Sequence, residues 1–287
     1  MKILILGSTG MLGKEVFRLL SNTGNLSIFT SARSDMKDSK NHLKIDLLES
    51  SSIEKIENIC PDIVIYCVAN TSIEYCEKNP DIAKRIHGDI PSKISSICKK
   101  IFYISTDSVF DGSNAPYRES DKPAPVNSYG LSKVYGEEQI RKHAKDYVII
   151  RTNIFGIQSS RGKSLTEWAI SNLQNGKSIN GFHDLKFNAL SVYQLAEAIN
   201  FLIGCNFSGT INVAGDYSIS KYEFLNYIAN YIGIDESLVI KSDSRDFFNV
   251  ARPKNTTLSI KNIKQLGFTN LKLKEGMEYI ANKIREV

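Results

Sequence analysis

Apolar and polar positions alternate along this chain in two rhythms. Residues 2–6 (Lys-Ile-Leu-Ile-Leu) form a short apolar run that stops at Gly7, the pattern of a strand buried on both faces of a parallel sheet. Met11, Leu12, Val16, Leu19 and Leu20 then recur at helical spacing over 11–20. Further apolar runs at 26–29, 62–68, 101–104 and 147–150 alternate with helical stretches at 51–60, 79–99 and 128–143. Strands separated by helices predict βαβ units, and so an α/β fold with a doubly wound (Rossmann) parallel sheet.

After residue 152 the rhythm loosens. Residues 156–163 read as a polar, Gly-rich loop, followed by helical patterns at 164–174, 192–203 and 220–232 and one more candidate strand at 210–213. The expected division is a dinucleotide-binding Rossmann domain of 1–152 plus 189–214 and a smaller C-terminal substrate-binding lobe of 153–188 plus 215–287. A chain of 287 residues suits one large domain with a lobe attached. The 42% hydrophobic and 23% charged content excludes collagenous, disordered and disulfide-stapled classes.

The net charge of +5 is concentrated. From Lys241 to the C-terminus there are ten Lys/Arg against five Asp/Glu, so the rest of the chain is balanced. A basic lobe on a neutral body suits an anionic small molecule. A nucleic-acid partner is not expected, because no basic stripe with interleaved aromatics is present. Cys60, Cys67, Cys76, Cys98 and Cys205 show no CxxC spacing, and the four His have no metal-ligand spacing, so no metal site is expected. With no signal-peptide pattern and no long apolar stretch, the expectation is a cytoplasmic protein that does not engage a membrane.

Two clusters carry chemistry. Gly7-Ser8-Thr9-Gly10-Met11-Leu12-Gly13 places three glycines between the first strand and the first helix. The first glycine permits the tight turn and the second a close approach to a pyrophosphate at the helix N-terminus. The third lets helix and strand pack closely. The second strand ends in Thr30-Ser31-Ala32-Arg33-Ser34 with no carboxylate at the ribose position. Arg33 there suits a 2′-phosphate, so NADP(H) is favoured, with NAD(H) as the alternative. The second cluster is Tyr129-Gly-Leu-Ser-Lys133, which sets Tyr129 and Lys133 on one helical face. An ammonium beside a phenol is expected to lower the phenol's pKa. Thr106 and Asp107 end the run 101–105, where ligands bind in parallel sheets, and are candidate substrate contacts.

Gly7–Gly13, Ser105-Thr-Asp-Ser-Val-Phe-Asp-Gly112, Tyr117-Arg-Glu119, Pro125-Val-Asn-Ser-Tyr-Gly-Leu-Ser-Lys133 and Ala251-Arg-Pro-Lys-Asn255 fall in order along nearly the whole length. In these motifs the chain resembles the extended short-chain dehydrogenase/reductase superfamily and, within it, the dTDP-4-dehydrorhamnose reductase family. The resemblance implies a Thr106–Tyr129–Lys133 triad. It implies a cofactor held by Gly7, Thr9, Gly10, Met11, Leu12 and Gly13, passing Asp46 and Leu47 at the adenine and Ala69 and Asn70 further on, and reaching Tyr129 and Lys133. It also implies Arg252 as a ligand for the substrate's diphosphate. The implied reaction is NADPH-dependent reduction of a keto group on a nucleotide-linked deoxysugar, with a homodimer as a compatible assembly.

Alternatives from the same scaffold are a sugar-nucleotide epimerase with retained NAD and a non-catalytic regulatory subunit such as that of human methionine adenosyltransferase. A 4,6-dehydratase would carry Glu where Ser108 stands. The chain departs from the family at Ser108, usually Tyr, and in lacking a Trp soon after Arg151-Thr152; its single Trp is Trp168. A lost aromatic platform widens the substrate to related keto-sugar nucleotides.

Overall fold

The computed structural model describes residues 1–24, 26–36, 39–158 and 164–285. The loop expected at 156–163 therefore lies largely outside the described residues. In chain order the strands are β1 Lys2–Leu6, β2 Ser27–Ala32, β3 His42–Lys44, β4 Ile63–Tyr66, β5 Lys100–Ile104, β6 Tyr147–Arg151, β7 Ile154–Phe155, β8 Ile179–Phe182, β9 Lys186–Phe187, β10 Leu190–Ser191, β11 Gly209–Asn212, β12 Ile219–Ser220 and β13 Val239–Ser242. The helices are α1 Met11–Ser21, α2 Ser52–Glu57, α3 Ile73–Lys78, α4 Pro80–Lys84, α5 Ile90–Ile97, α6 Ser128–His143, α7 Leu165–Gln174, α8 Val192–Gly204, α9 Lys221–Tyr231, α10 Lys261–Gln265 and α11 Leu273–Arg285.

Seven strands form one sheet in the order β11-β6-β5-β4-β1-β2-β3, and every pair in it is parallel. The apolar runs explain the layers. Successive side chains of a strand point to opposite faces. Ile3, Ile5, Ile63, Ile65, Phe102, Val148, Ile150 and Ile211 pack on one face with α1 and α8 residues such as Val16, Leu20, Leu195 and Ile199. Leu4, Leu6, Val64, Tyr66, Ile101, Tyr103 and Ile149 pack on the other, against Ile56 of α2, Ile90 and Ile94 of α5 and Ile140 of α6. Both faces are covered, so the strands read as unbroken apolar runs rather than alternating ones. The chain leaves β1 in one direction and β4 in the other, which makes the ends of these two strands the switch point where such sheets bind ligands.

The expected strand near 210 is β11, which pairs with β6 in register Ile211↔Ile150 and extends the sheet. A separate core gathers Phe155, Ile170, Leu173, Ile179, Phe187, Phe224, Ile228, Val239 and Met277 from α7, α9, α11 and the short strands. One part of the sequence-based lobe lies elsewhere: Ile263, Phe268 and Leu271 belong to the core of the main sheet. Their apolar spacing is the same as that of lobe helices, so pattern alone could not assign them. The two-residue strands were also unread, because two residues carry no alternation. The helix expected over 79–99 is interrupted by a π-helical turn, Arg85–Asp89. Among the described residues no helix is long and apolar enough to cross a membrane.

Candidate active site

The glycine turn leaves β1 with Gly7 at φ +81°, a left-handed conformation that disfavours any side chain. Its N–H donates to the Ser31 carbonyl at 2.8 Å, tying the turn to the end of β2. A Cβ on Gly13 would fall 2.3 Å from the Gly7 oxygen, so α1 packs directly on the turn it follows. Gly10 starts α1 without a side-chain cap, and no acidic residue occupies the first turn. The N–H groups of Met11, Leu12 and Gly13 therefore point out of the helix end with its positive dipole unopposed. Thr9 receives the Ser34 hydroxyl at 3.4 Å, linking this turn to the segment after β2. Arg33 is exposed there and has no ion-pair partner among the described residues. Asp35, the next acid along the chain, is engaged by Lys44 at 3.3 Å.

The other contacts implied for the cofactor lie around this turn. Asp46 turns one carboxylate oxygen back to the Leu48 N–H at 3.0 Å, beside partly buried Leu47. Ala69 is exposed after β4, and the Asn70 side chain accepts from the Ser72 N–H at 3.1 Å. A Cβ on Gly7 would touch the Cys67 carbonyl, which sets the ends of β1 and β4 side by side.

Thr106 follows β5, and Tyr129 and Lys133 share α6, which Asn127 caps by accepting from the Gly130 N–H at 2.9 Å. Lys133 is 2% exposed; its ammonium donates to the Ile104 carbonyl at 2.6 Å and lies 4.4 Å from the Tyr103 ring centroid. Burial pulls its pKa down to about 7 against a pull upward from Glu137. Burial raises the Tyr129 phenol above its ordinary value, and a hydrogen bond with Thr106 opposes this in part. The expectation that Lys133 lowers the phenol is thus corrected. Both groups are desolvated, and desolvation disfavours the charged form of each. Tyr129 is held protonated, as a proton donor needs to be.

Asp107 is also corrected. It is 2% exposed and its carboxylate is filled: Thr106 (3.1 Å) and Ser108 (3.3 Å) donate to one oxygen, Asn153 (2.8 Å) and Thr256 to the other. A carboxylate with four donors has no site left for substrate. Asp107 instead ties the Thr106 turn to the end of β6 and to the C-terminal segment. Arg252, expected at the diphosphate, pairs with Glu74 of α3 and stacks over Phe248 at 4.6 Å, while its Nε is buried without a hydrogen-bond partner among the described residues. Lys254 and Lys264 of the basic segment pair likewise with Asp184 and Asp216.

Sequence reasoning missed the support beneath the triad. Glu137 is fully buried, accepts from Ser105 at 2.6 Å and binds Arg151 through Nε at 3.0 Å and Nη2 at 2.7 Å. Burial pushes its carboxyl up, but Arg151, Ser105 and Arg141 together outweigh that and hold it below the ordinary range. Such a two-point pair fixes geometry as well as charge. The Arg151-Thr152 motif was a visible signal; its partner 14 residues away was not.

A seven-stranded parallel sheet with a glycine turn at its switch point, Thr106 after β5, and Tyr129 and Lys133 on α6 are the arrangement of an extended short-chain dehydrogenase/reductase. The family model described as the RmlD substrate binding domain matches residues 1–285, and the chain belongs to that family. Among solved structures, the dTDP-4-dehydrorhamnose reductase of Bacillus anthracis in complex with NADP is 27% identical, with a TM-score of 0.86 over 100% of this chain and 99% of that one. Among curated relatives, the probable low-salt glycan biosynthesis reductase Agl14 of Haloferax volcanii is 29% identical over 95% of both chains. Methionine adenosyltransferase 2 subunit beta of Rattus norvegicus is 26% identical over 93% of this chain and 82% of its own.

Proposed function

We propose that this protein is an NADPH-dependent reductase acting on a keto group of a nucleotide-linked deoxysugar. The observation that carries the reading is the pairing of a buried, protonated Tyr129 with the Thr106 hydroxyl on one side and Lys133 on its own helix. The residues present fit a dinucleotide. A Cβ on Gly13 would strike the Gly7 backbone, the first turn of α1 lacks an acid, and exposed Arg33 has no ion-pair partner among the described residues, which leaves it for a 2′-phosphate. NADPH, when bound, supplies the hydride. Thr106, whose hydroxyl proton turns from Asp107 to the bound substrate, holds the carbonyl oxygen by a hydrogen bond that strengthens as charge develops there. Tyr129 gives its proton to the same oxygen. A phenol raised by burial still does so readily, because an alkoxide is a stronger base than a phenolate. Lys133, poised near 7, orients the ribose and replaces the proton that Tyr129 has given.

The Rattus norvegicus relative favours a second reading, a dinucleotide-binding regulatory subunit. One experiment separates them: purified protein, NADPH and a panel of keto-sugar nucleotides, followed at the reduced-nicotinamide band. Consumption of NADPH with one of them supports the reductase. Cofactor binding without turnover of any supports the subunit, and nicotinamide retained through purification supports an epimerase.

A further inference from the structure

One buried titratable group takes no part in the mechanism above. His87 is 0% exposed and sits in the π-helical turn Arg85–Asp89, a distortion often found at functional sites. Its Nε2 lies 3.1 Å from the Asn70 backbone nitrogen. A backbone N–H can only donate, so Nε2 is bare and the ring proton is on Nδ1. Nδ1 then donates to the Ser132 hydroxyl at 2.8 Å, and Ser132 donates to the Tyr129 carbonyl at 2.7 Å. The imidazole also stands edge-on to the Tyr129 ring, with centroids 5.7 Å apart at 86°.

The turn that carries His87 is itself fixed. The π turn displaces carbonyls from α-helical partners, and Tyr66 and Tyr103 donate to those of Ile86 and His87 at 2.7 and 2.6 Å. A Cβ on Gly136 would fall 2.0 Å from the His87 oxygen, so α6 lies directly on this turn. Burial, with Lys133 adding to it, lowers the imidazole's pKa to about 2. The ring is therefore neutral at any working pH, and one tautomer serves both contacts.

We propose that His87 is a positioning residue that sets the Asn70 segment and the proton donor Tyr129 against each other through its two ring nitrogens. It rests on the reading of Tyr129 as the acid and of the Asn70 segment as a cofactor contact. A merely structural histidine would stabilise the fold without splitting its effects between cofactor and chemistry.

The two arms can be cut separately. Asn at 87 places its amide where Nδ1 stands and reaches Ser132 but not Asn70. Gln places its amide where Nε2 stands and reaches Asn70 but not Ser132. Losing one buried hydrogen bond should weaken NADPH binding about fivefold in His87→Asn with kcat within about twofold. His87→Gln should lower kcat about tenfold with the NADPH Kd within about twofold, and His87→Phe should do both. NADPH titration, steady-state kinetics and a melting curve read these. Variants that only melt earlier, with Kd and kcat unchanged, overturn the proposal, as does an equal effect of Asn and Gln on both. A wild type that reduces no keto-sugar nucleotide refutes the reductase reading alone, since the Kd difference between the Asn and Gln variants still decides this one.

Discussion

Tyr129 and Lys133 illustrate how one cause acts oppositely on two neighbours. Burial favours the neutral form of each, so the phenol rises and the ammonium falls to about 7. Tyr129→Phe keeps the ring and its packing but removes the acid, and should lower kcat at least ~10²-fold while NADPH affinity stays near wild type. A folded Phe variant with wild-type turnover would end the proposed mechanism. Lys133 gives a second prediction, with a definite sign. Its pKa is depressed from 10.5 to about 7 in the folded protein, so between those values the unfolded chain binds the extra proton. Stability from this group therefore rises with pH across that window, and below it the full cost of burying the charge remains. Lys133→Met removes the cost. Its melting temperature relative to wild type should be most favourable near pH 6 and should decline towards pH 9; a difference independent of pH would show that Lys133 is not buried as a titrating amine. The positions of these two residues were readable because four residues along a helix return to one face. Their pKa directions were not, since burial comes from residues that Tyr129-Gly-Leu-Ser-Lys133 does not contain.

At the scale of elements, legibility follows sequence distance. The β1–turn–α1 unit could be read because its strand, three glycines and helix are contiguous, and the doubly wound sheet could be read because each buried strand is an unbroken apolar run. The π turn at Arg85–Asp89 was hidden. It depends on Tyr66 and Tyr103, which come from two different strands, and His87 meets Asn70 and Ser132 at separations of 17 and 45 residues. Tyr117 and Glu119, quoted as a motif, turn out to join elements. Tyr117 stacks on Phe110 at 4.1 Å, and Glu119 accepts from the β11 residue Asn212 at 3.0 Å and from Asn262 of α10 at 2.8 Å. The end of β2 carries its own prediction. Arg33 is exposed and has no ion-pair partner among the described residues, whereas Asp35 is engaged by Lys44. Charge-assisted contact with a 2′-phosphate should make NADPH bind more tightly than NADH, and Arg33→Ala should narrow that gap roughly tenfold. Titrations in which wild type prefers NADH would reassign this end of the site.

Across the whole molecule, the C-terminal segment is tied back to the sheet side by bonds such as Thr256 to Asp107 and by the Arg252–Glu74 pair. The pair joins the C-terminal segment to the start of α3, next to the Asn70 segment. Composition located a basic C-terminus but could not show that Arg252, Lys254 and Lys264 each meet an acid from elsewhere in the chain. The charge surplus is thus partly spent within the fold, and what remains for a ligand is local. Arg252 is the informative case, because its Nε is buried with no hydrogen-bond partner among the described residues and its charge is desolvated. A substrate diphosphate would satisfy that nitrogen and would compete with Glu74 for the guanidinium. The two partners should then respond with opposite signs. Arg252→Ala should raise the KM for a keto-sugar nucleotide about tenfold or more, the worth of a hydrogen bond to a charged group, with little change in kcat because the contact is remote from the ketone. Glu74→Gln should lower KM, because it weakens the competitor and leaves the guanidinium in place. If both substitutions instead lower the melting temperature and leave KM unchanged, the pair is a structural brace and the diphosphate is held by other residues.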